Sequence, residues 1–459
     1  MLSACGSPVL RQYLVIIIAN LSFITLGLNI AWPSPVLVKL RNANQTVLSR
    51  PITEEEGSWI VSIGAVCGLL VICTIGFLMD RIGRKTCIIL GFIPRLTMCF
   101  MAMFATEVWL ILLGRAIDGF ANIFSIAVVP TYAAEIAGKE SRGALGTISQ
   151  LASALGMMVF FSIGPFMPYF ELNVVYACIV AMASLPVWFI PESPYYLYAK
   201  GRKEESQKIL TYLRGSELLA NEEIKLYSLS QCKISKREIF KDRTTIKTLA
   251  KVIFLSIFLE LIGYNAVLFY MQTVLESTHT TVREEIASVV NGCIQLVACF
   301  CTILLTDRFG RKPILITTSL GMAVGMIGLG TFFTLREDDF QISGFLNFLP
   351  LLSMMLVIFC FNAGMGSIFW MVVAELFDGP ARAIGVSVGI GVATLFVFFT
   401  TKYFAFVTNA IGPANTYWIF SANCIVIGLF IMFLIPETKG KTFAEIQEDL
   451  GRKSVKTAY

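Results

Sequence analysis

Apolar runs of roughly 20 residues recur along the whole chain, each bounded by charged residues or by Gly and Pro. A helix of that length rises about 30 Å, the thickness of a bilayer's hydrocarbon core. Such runs centre near residues 23, 69, 97, 122, 156, 181, 261, 296, 323, 360, 395 and 425. Only 15% of the residues are charged and 56% are hydrophobic, whereas soluble domains carry about 25% charged residues. Short alternating segments, which would suggest a membrane β-barrel, are absent. The expected fold is therefore an all-α membrane protein of twelve transmembrane helices. The first run, near 13–33, follows Arg11 and outlasts a secretory signal, and no small-residue cleavage site follows it. It reads as the first membrane helix.

The longest polar stretch, about 192–248, separates six runs from six. The expected organisation is an N-terminal six-helix half at 1–191, a linker with short helices at 192–248, a second half at 249–435 and a tail at 436–459. Lys and Arg distribution sets orientation. With both termini inside, five of the 36 Lys and Arg fall outside (Lys39, Arg41, Arg50, Arg283, Arg336) and three within spans (Arg95, Arg115, Lys402), leaving 28 on the cytoplasmic side. The same orientation puts Asn44 of "NQT" outside, as a glycosylation acceptor.

The two halves echo each other. "GFLMDRIGRK" at 76–85 returns as "LLTDRFGRK", with Asp80 and Asp307 227 residues apart. Glu135, seven residues before Arg142, returns as Glu375, seven before Arg382, and "PESP" at 191 returns as "PETK" at 436. Three repeats in one order, each at a cytoplasmic helix end, indicate two pseudo-symmetric six-helix halves. That is the architecture of a transporter with a midplane site. Gly in Asp-Arg-x-Gly-Arg permits a tight turn, so Asp80, Arg81 and Arg84 can meet Glu135 and Arg142, and Asp307, Arg308 and Arg311 can meet Glu375 and Arg382. The bland reading is that these charges only anchor helix ends. Duplication with acidic partners in fixed register favours a latch that biases one conformational state.

Catalysis finds no support: there is no nucleophile–base pair, nucleotide loop or Cys/His cluster, and no cofactor, metal or nucleic-acid partner is expected. The twelve cysteines lie scattered, mostly in apolar runs, without CxxC spacing. His279, the only histidine, reads as an ordinary loop residue.

The motifs "GFLMDRIGRK", "GRAIDGF", "YAAEIAGKESRGALGTISQL", "PESPYYL", "LRG", "NAVLFY", "TDRFGRK", "ELFDGPAR" and "PETKGKTFAEIQ" span nearly the whole chain. Through them the sequence resembles the sugar porters of the major facilitator superfamily, and "LNIAWPSPVL" and "GRKTCIILGFIPRL" are similar to the arthropod trehalose- and glucose-transporting branch. The resemblance implies alternating access and carriage of a sugar or polyol without chemical change, by a plasma-membrane protein working as a monomer in the lipid bilayer.

It also implies site residues. Gln150 matches the fifth-helix glutamine, Asn265 and Tyr270 the seventh-helix asparagine and gating tyrosine, Gln295 the eighth-helix amide, and Trp370 the tenth-helix tryptophan. The departures are equally specific. Leu259-Glu260 stands where many relatives have Gln-Gln, Ser367 and Phe369 replace two helix-bending prolines, Asn362 replaces a glutamate, and Ala393-Thr394 an Asn-Trp pair. A carboxylate within a membrane helix is costly unless paired, protonated or wetted, so Glu260 is expected to bind or couple. Asn29 replaces the aspartate of proton-driven relatives, which favours uniport. A symporter using Glu260 and a transporter-like sensor are the alternatives.

Overall fold

Eleven helices among the described residues are long and apolar enough to cross a membrane, and the shorter apolar helix Ile148–Ile163 makes a twelfth. The structure, a computed structural model, describes residues 7–138, 142–230, 243–278, 283–338, 340, 344–377, 381–441 and 443–450. No strand occurs among them. Large apolar side chains such as Leu70, Phe77 and Phe433 lie on the exterior, where only a lipid phase would cover them cheaply.

The elements of the first half are α1 (Pro8–Ala31), α2 (Pro33–Arg41), α3 (Glu54–Ile82), α4 (Arg84–Met103), α5 (Val108–Ile123), a π-turn (Phe124–Val128), α6 (Val129–Ile136), α7 (Arg142–Ile163) and α8 (Tyr169–Val187). Three short helices follow: α9 (Pro194–Ala199), α10 (Lys203–Arg214) and α11 (Glu217–Ser230). The second half comprises α12 (Arg243–Leu261), α13 (Tyr264–Phe269), α14 (Met271–Thr278), α15 (Glu284–Phe309), α16 (Arg311–Glu337), α17 (Leu349–Cys360), a π-turn (Phe361–Met365), α18 (Ile368–Glu375), α19 (Ala381–Ile411), α20 (Pro413–Leu434) and α21 (Phe443–Asp449).

By proximity the chain forms two compact units. One holds Met1–Trp32, Lys39–Thr53 and Ile63–Lys233; the other holds Pro33–Val38, Glu54–Ser62 and Ile234–Tyr459. In the first, α1 and α7 cross on small residues. A Cβ on Gly27 would overlap the Ser153 carbonyl, and one on Gly156 would overlap that of Ile24. Close approach at small residues is how membrane helices gain packing without a hydrophobic driving force, and here it seats α7, which carries Gln150. The short helices dock on the same unit. Arg214 pairs with Glu223 through two contacts, of 2.8 and 3.0 Å, and donates to the Ile136 carbonyl at 2.8 Å. It thereby serves an orphan carbonyl at the end of α6.

The second unit contains two broken membrane helices. The span of α12–α13 turns at Gly263, whose φ of 82° is a conformation that favours glycine. The span of α17–α18 is interrupted by the π-turn, closed by the Gly366 amide donating to the Phe361 carbonyl at 2.7 Å. Irregular backbone within a membrane helix is tolerated only where surrounding protein or a water-filled cavity satisfies it, and π-turns are frequent at functional sites.

Candidate substrate site and the paired charged turns

In the first unit a polar cluster is buried among apolar helices. Arg95 Nε meets Asp118 Oδ1 at 3.0 Å, and Arg115 lies 3.7 Å from the other oxygen. Arg95 also donates to Thr25 Oγ1 at 3.1 Å and to Asn122, while Arg115 donates to Asn29. Asn29 in turn donates to Asn122 at 3.0 Å. The Arg115 guanidinium sits 5.4 Å from the Trp32 ring centroid, a favourable cation–π placement. One carboxylate thus serves two guanidinium groups, with amides and a hydroxyl filling the remaining positions. The sequence left Arg95 without an assigned partner, and the structure supplies Asp118. Gln150 is half-buried on α7 in this unit.

The remaining five substrate candidates lie in the second unit, around its two breaks. Across the Gly263 turn, Asn265 Nδ2 donates to Glu260 Oε2 at 2.6 Å, and Glu260 is 6% exposed. The neighbouring Tyr264 opens α13 with its ring stacked on Phe361 of the π-turn, 3.5 Å between centroids and 6° between planes. Its hydroxyl accepts from Gln295 Nε2 at 3.3 Å and Asn362 Nδ2 at 3.2 Å. Gln295 Nε2 also reaches Asn362 Oδ1 at 3.3 Å. The structure therefore joins Glu260 with Asn265, and Gln295 with Asn362. Trp370 is half-buried on α18, edge-on to Phe369 at 5.1 Å and 87°. Tyr270, buried, donates its hydroxyl proton to the Thr401 carbonyl at 3.1 Å. Tyr264 was invisible to sequence reasoning, because its partners are 31 and 98 residues away.

The missing prolines did not straighten the span. The Asn362 carbonyl, released from the helix ladder, accepts from Ser367 Oγ at 2.8 Å and Thr302 Oγ1 at 3.0 Å. Ser367, read from sequence as a lost proline, helps to hold the break.

The repeated turns have matching construction. In the first unit Arg84 is the hub, 3.2 Å from Asp80 and 3.1 Å from Glu135. Arg81 is exposed and contributes its carbonyl, which accepts from Tyr196 at 3.1 Å. In the second, Arg311 lies 3.4 Å from Glu375. Arg308 and Arg382 are exposed, and the Arg308 carbonyl accepts from Lys439 at 2.9 Å. The side chains of Arg142 and Asp307 lie outside the described residues, as does His279.

What the sequence did not reveal is the role of the repeated "PE". Glu192 accepts from the backbone amides of Arg84 and Lys85 at 3.0 and 3.1 Å. Glu437 accepts from those of Arg311 and Lys312, both at 3.0 Å, and from Thr438 and Lys439 at 2.9 and 2.8 Å. Each carboxylate meets the amides at the start of a helix, where donors lack intrahelical partners and the dipole favours negative charge. Burial raises the Glu437 carboxyl's pKa, but the four backbone donors outweigh it and hold it below the usual carboxylate range. Gly83 and Gly310, at φ of 97° and 88°, precede the two helices. A Cβ at Gly83 would also strike the Glu192 carboxylate. No acidic side chain's target on a backbone amide is written in sequence spacing, so only the repetition was available as a signal.

Lys402, within an apolar span, donates to Ser58 Oγ at 2.9 Å and stands 4.1 Å from the Trp59 ring centroid. Both partners belong to the portion of α3 that groups with the second unit. Asn44 is exposed in the segment between α2 and α3.

Two six-helix halves, broken helices lined with amides and duplicated charged turns define a polytopic carrier of the major facilitator type. Residues 14–450 match the family described as "Sugar (and other) transporter", and the chain belongs to it. It is an integral membrane transporter, not an enzyme. A facilitated trehalose transporter, Tret1, of Polypedilum vanderplanki is 30% identical over 445 residues, covering 96% of this chain and 88% of that protein. The Culex quinquefasciatus protein of the same name is 29% identical over 446 residues, covering 96% and 86%. Among solved structures, the inward-open xylose transporter XylE of E. coli superposes with a TM-score of 0.79 at 23% identity, covering 96% of this chain and 99% of that one. At that identity the likeness establishes the fold.

Proposed function

We propose that this protein carries a small sugar, trehalose or a hexose, down its gradient by alternating access. The observation that carries the reading is the second unit's pair of broken helices. They bring a carboxylate, three side-chain amides and two aromatic rings to one region within a chain whose similarity to facilitated trehalose transporters runs nearly end to end. Sugar recognition needs such convergent polar groups beside aromatic surface. Gln150, Glu260, Asn265, Gln295, Asn362 and Trp370 are the proposed substrate residues, with Tyr270 as a gate.

The Arg84 and Arg311 networks are the proposed cytoplasmic latches, in a monomer of the plasma membrane with both termini inside and Asn44 glycosylated outside. Uniport is favoured because Arg115 is met by Asn29, an amide with no proton to exchange, rather than by a carboxylate from α1. Uptake of radiolabelled trehalose, glucose, fructose and polyols into proteoliposomes, with and without a pH gradient, tests the proposal. Saturable sugar uptake indifferent to the gradient is expected. A strict requirement for an inward proton gradient would overturn uniport.

A further inference from the structure

The cluster around Tyr264 has an unusual balance of donors. A side-chain amide offers two N–H bonds and one carbonyl oxygen. Gln295 Nε2 spends its two on the Tyr264 hydroxyl oxygen and on Asn362 Oδ1. Asn362 Nδ2 spends its two on the same hydroxyl oxygen and on the Ile358 carbonyl at 2.8 Å. The N–H groups of both amides are thus spent within the protein, so each can face a sugar only through its carbonyl oxygen. The phenol oxygen receives two hydrogen bonds, and its own proton meets no acceptor among the described residues. Tyr264 is 4% exposed, Asn362 6% and Gln295 0%. A buried donor without an acceptor keeps its desolvation cost uncompensated, so a buried phenol proton left this way is a group awaiting a partner. The ring cannot easily turn away, because it lies flat on Phe361 and its oxygen is held by two amides.

We propose that Tyr264 is a specificity-determining residue that donates its phenol hydrogen bond to one hydroxyl oxygen of the transported sugar, with Gln295 and Asn362 serving to aim it. This rests on the sugar-carrier reading above and specifies how that site discriminates. A site built around a buried donor rejects an analogue lacking the matching oxygen more strongly than an apolar wall would. The sugar position read by Tyr264 is therefore one whose hydroxyl cannot be removed without loss.

The test crosses protein and sugar deletions. Glucose, trehalose and their monodeoxy analogues compete with radiolabelled uptake in proteoliposomes of wild type and of Tyr264→Phe, which keeps the ring on Phe361 and loses only the hydroxyl. In wild type, deoxygenation at one position is expected to weaken competition about tenfold, the equivalent of ~1.4 kcal/mol. In Tyr264→Phe the parent sugar falls to the level of that analogue, and the analogue itself competes equally in both proteins. Tyr264→His, which retains a ring N–H, should keep part of the discrimination. Thermal unfolding measured alongside shows that each variant is folded. Equal weakening of every analogue, or an unchanged deoxy profile in both variants, would overturn the assignment while sugar transport stands. No uptake or competition by either sugar in wild type would overturn the carrier reading, and this assignment with it.

Discussion

Asn265 donates to the carboxylate of Glu260 at 2.6 Å across the turn at Gly263, so the acid is met by a residue in the first turn of the helix that follows the break. The pair ties both sides of the interruption together and keeps a carboxylate buried without a cationic partner among the described residues. Because the partner is an amide donor, Glu260→Gln retains an acceptor oxygen in the same place. It should transport with a KM shifted several-fold and with normal folded yield, whereas Glu260→Ala should lose most uptake. Kinetics normalised to folded protein check this. Loss of folded protein in the Gln variant would mean that Glu260 holds structure rather than sugar.

Asp118 is the shared counter-ion of two buried guanidinium groups. Removing one partner of a buried ion pair leaves an uncompensated charge and costs about 3–5 kcal/mol. Asp118→Asn should therefore depress the thermal unfolding temperature in detergent severely. Thr25→Val, which removes one neutral contact of Arg95, should do so only slightly. Equal effects would show that the amides around the arginines suffice without the carboxylate.

Glu437 supplies a pH signature. Its carboxyl is held below the usual value, so the folded state binds fewer protons there than the unfolded state. Its contribution is present above the unfolded Glu value of about 4.3 and is lost as pH falls through the folded value. Glu437→Gln should unfold at a lower temperature than wild type at pH 7. The gap between the two should narrow on acidification below about pH 4. A gap that stays constant with pH would mean that the carboxylate's charge is not what holds the turn.

The tenth-span break predicts cooperation between two hydroxyls. Ser367 and Thr302 both serve the Asn362 carbonyl, so either deletion alone leaves one donor. Ser367→Ala and Thr302→Val should each reduce uptake modestly. The double variant should lose more than the product of the two, since it alone orphans the carbonyl. Additive losses would place the two hydroxyls in separate roles.

The number and placement of spans were legible because membrane burial imposes a hydropathy pattern that needs no knowledge of contacts. Arg84 beside Asp80 follows from a four-residue spacing on one turn, and Glu135 from a repeated register. Side chains that meet across the bundle carry no such local mark. Arg95 and Asp118 are 23 residues apart, and nothing in the spacing distinguishes that partner from other acids. Asn265 lies five residues from Glu260, but their pairing depends on the Gly263 turn, which an unbroken helix would not make. Ser367 and Phe369 in place of two prolines left the shape of the tenth span open, because the hydroxyl partners of the Asn362 carbonyl carry no sequence mark. Proline is one way to open a helix, and a glycine-rich π-turn with hydroxyl donors is another.

That substitution changes the character of the hinge. A proline break is written into covalent structure: the missing N–H and the ring persist in every conformation. At the π-turn the break is held by exchangeable hydrogen bonds, the Gly366 amide to the Phe361 carbonyl and two hydroxyls to the Asn362 carbonyl. The interruption is then an equilibrium property, open to adjustment by whatever else competes for that oxygen. Any group that competed for the Asn362 carbonyl would alter the stiffness of the span.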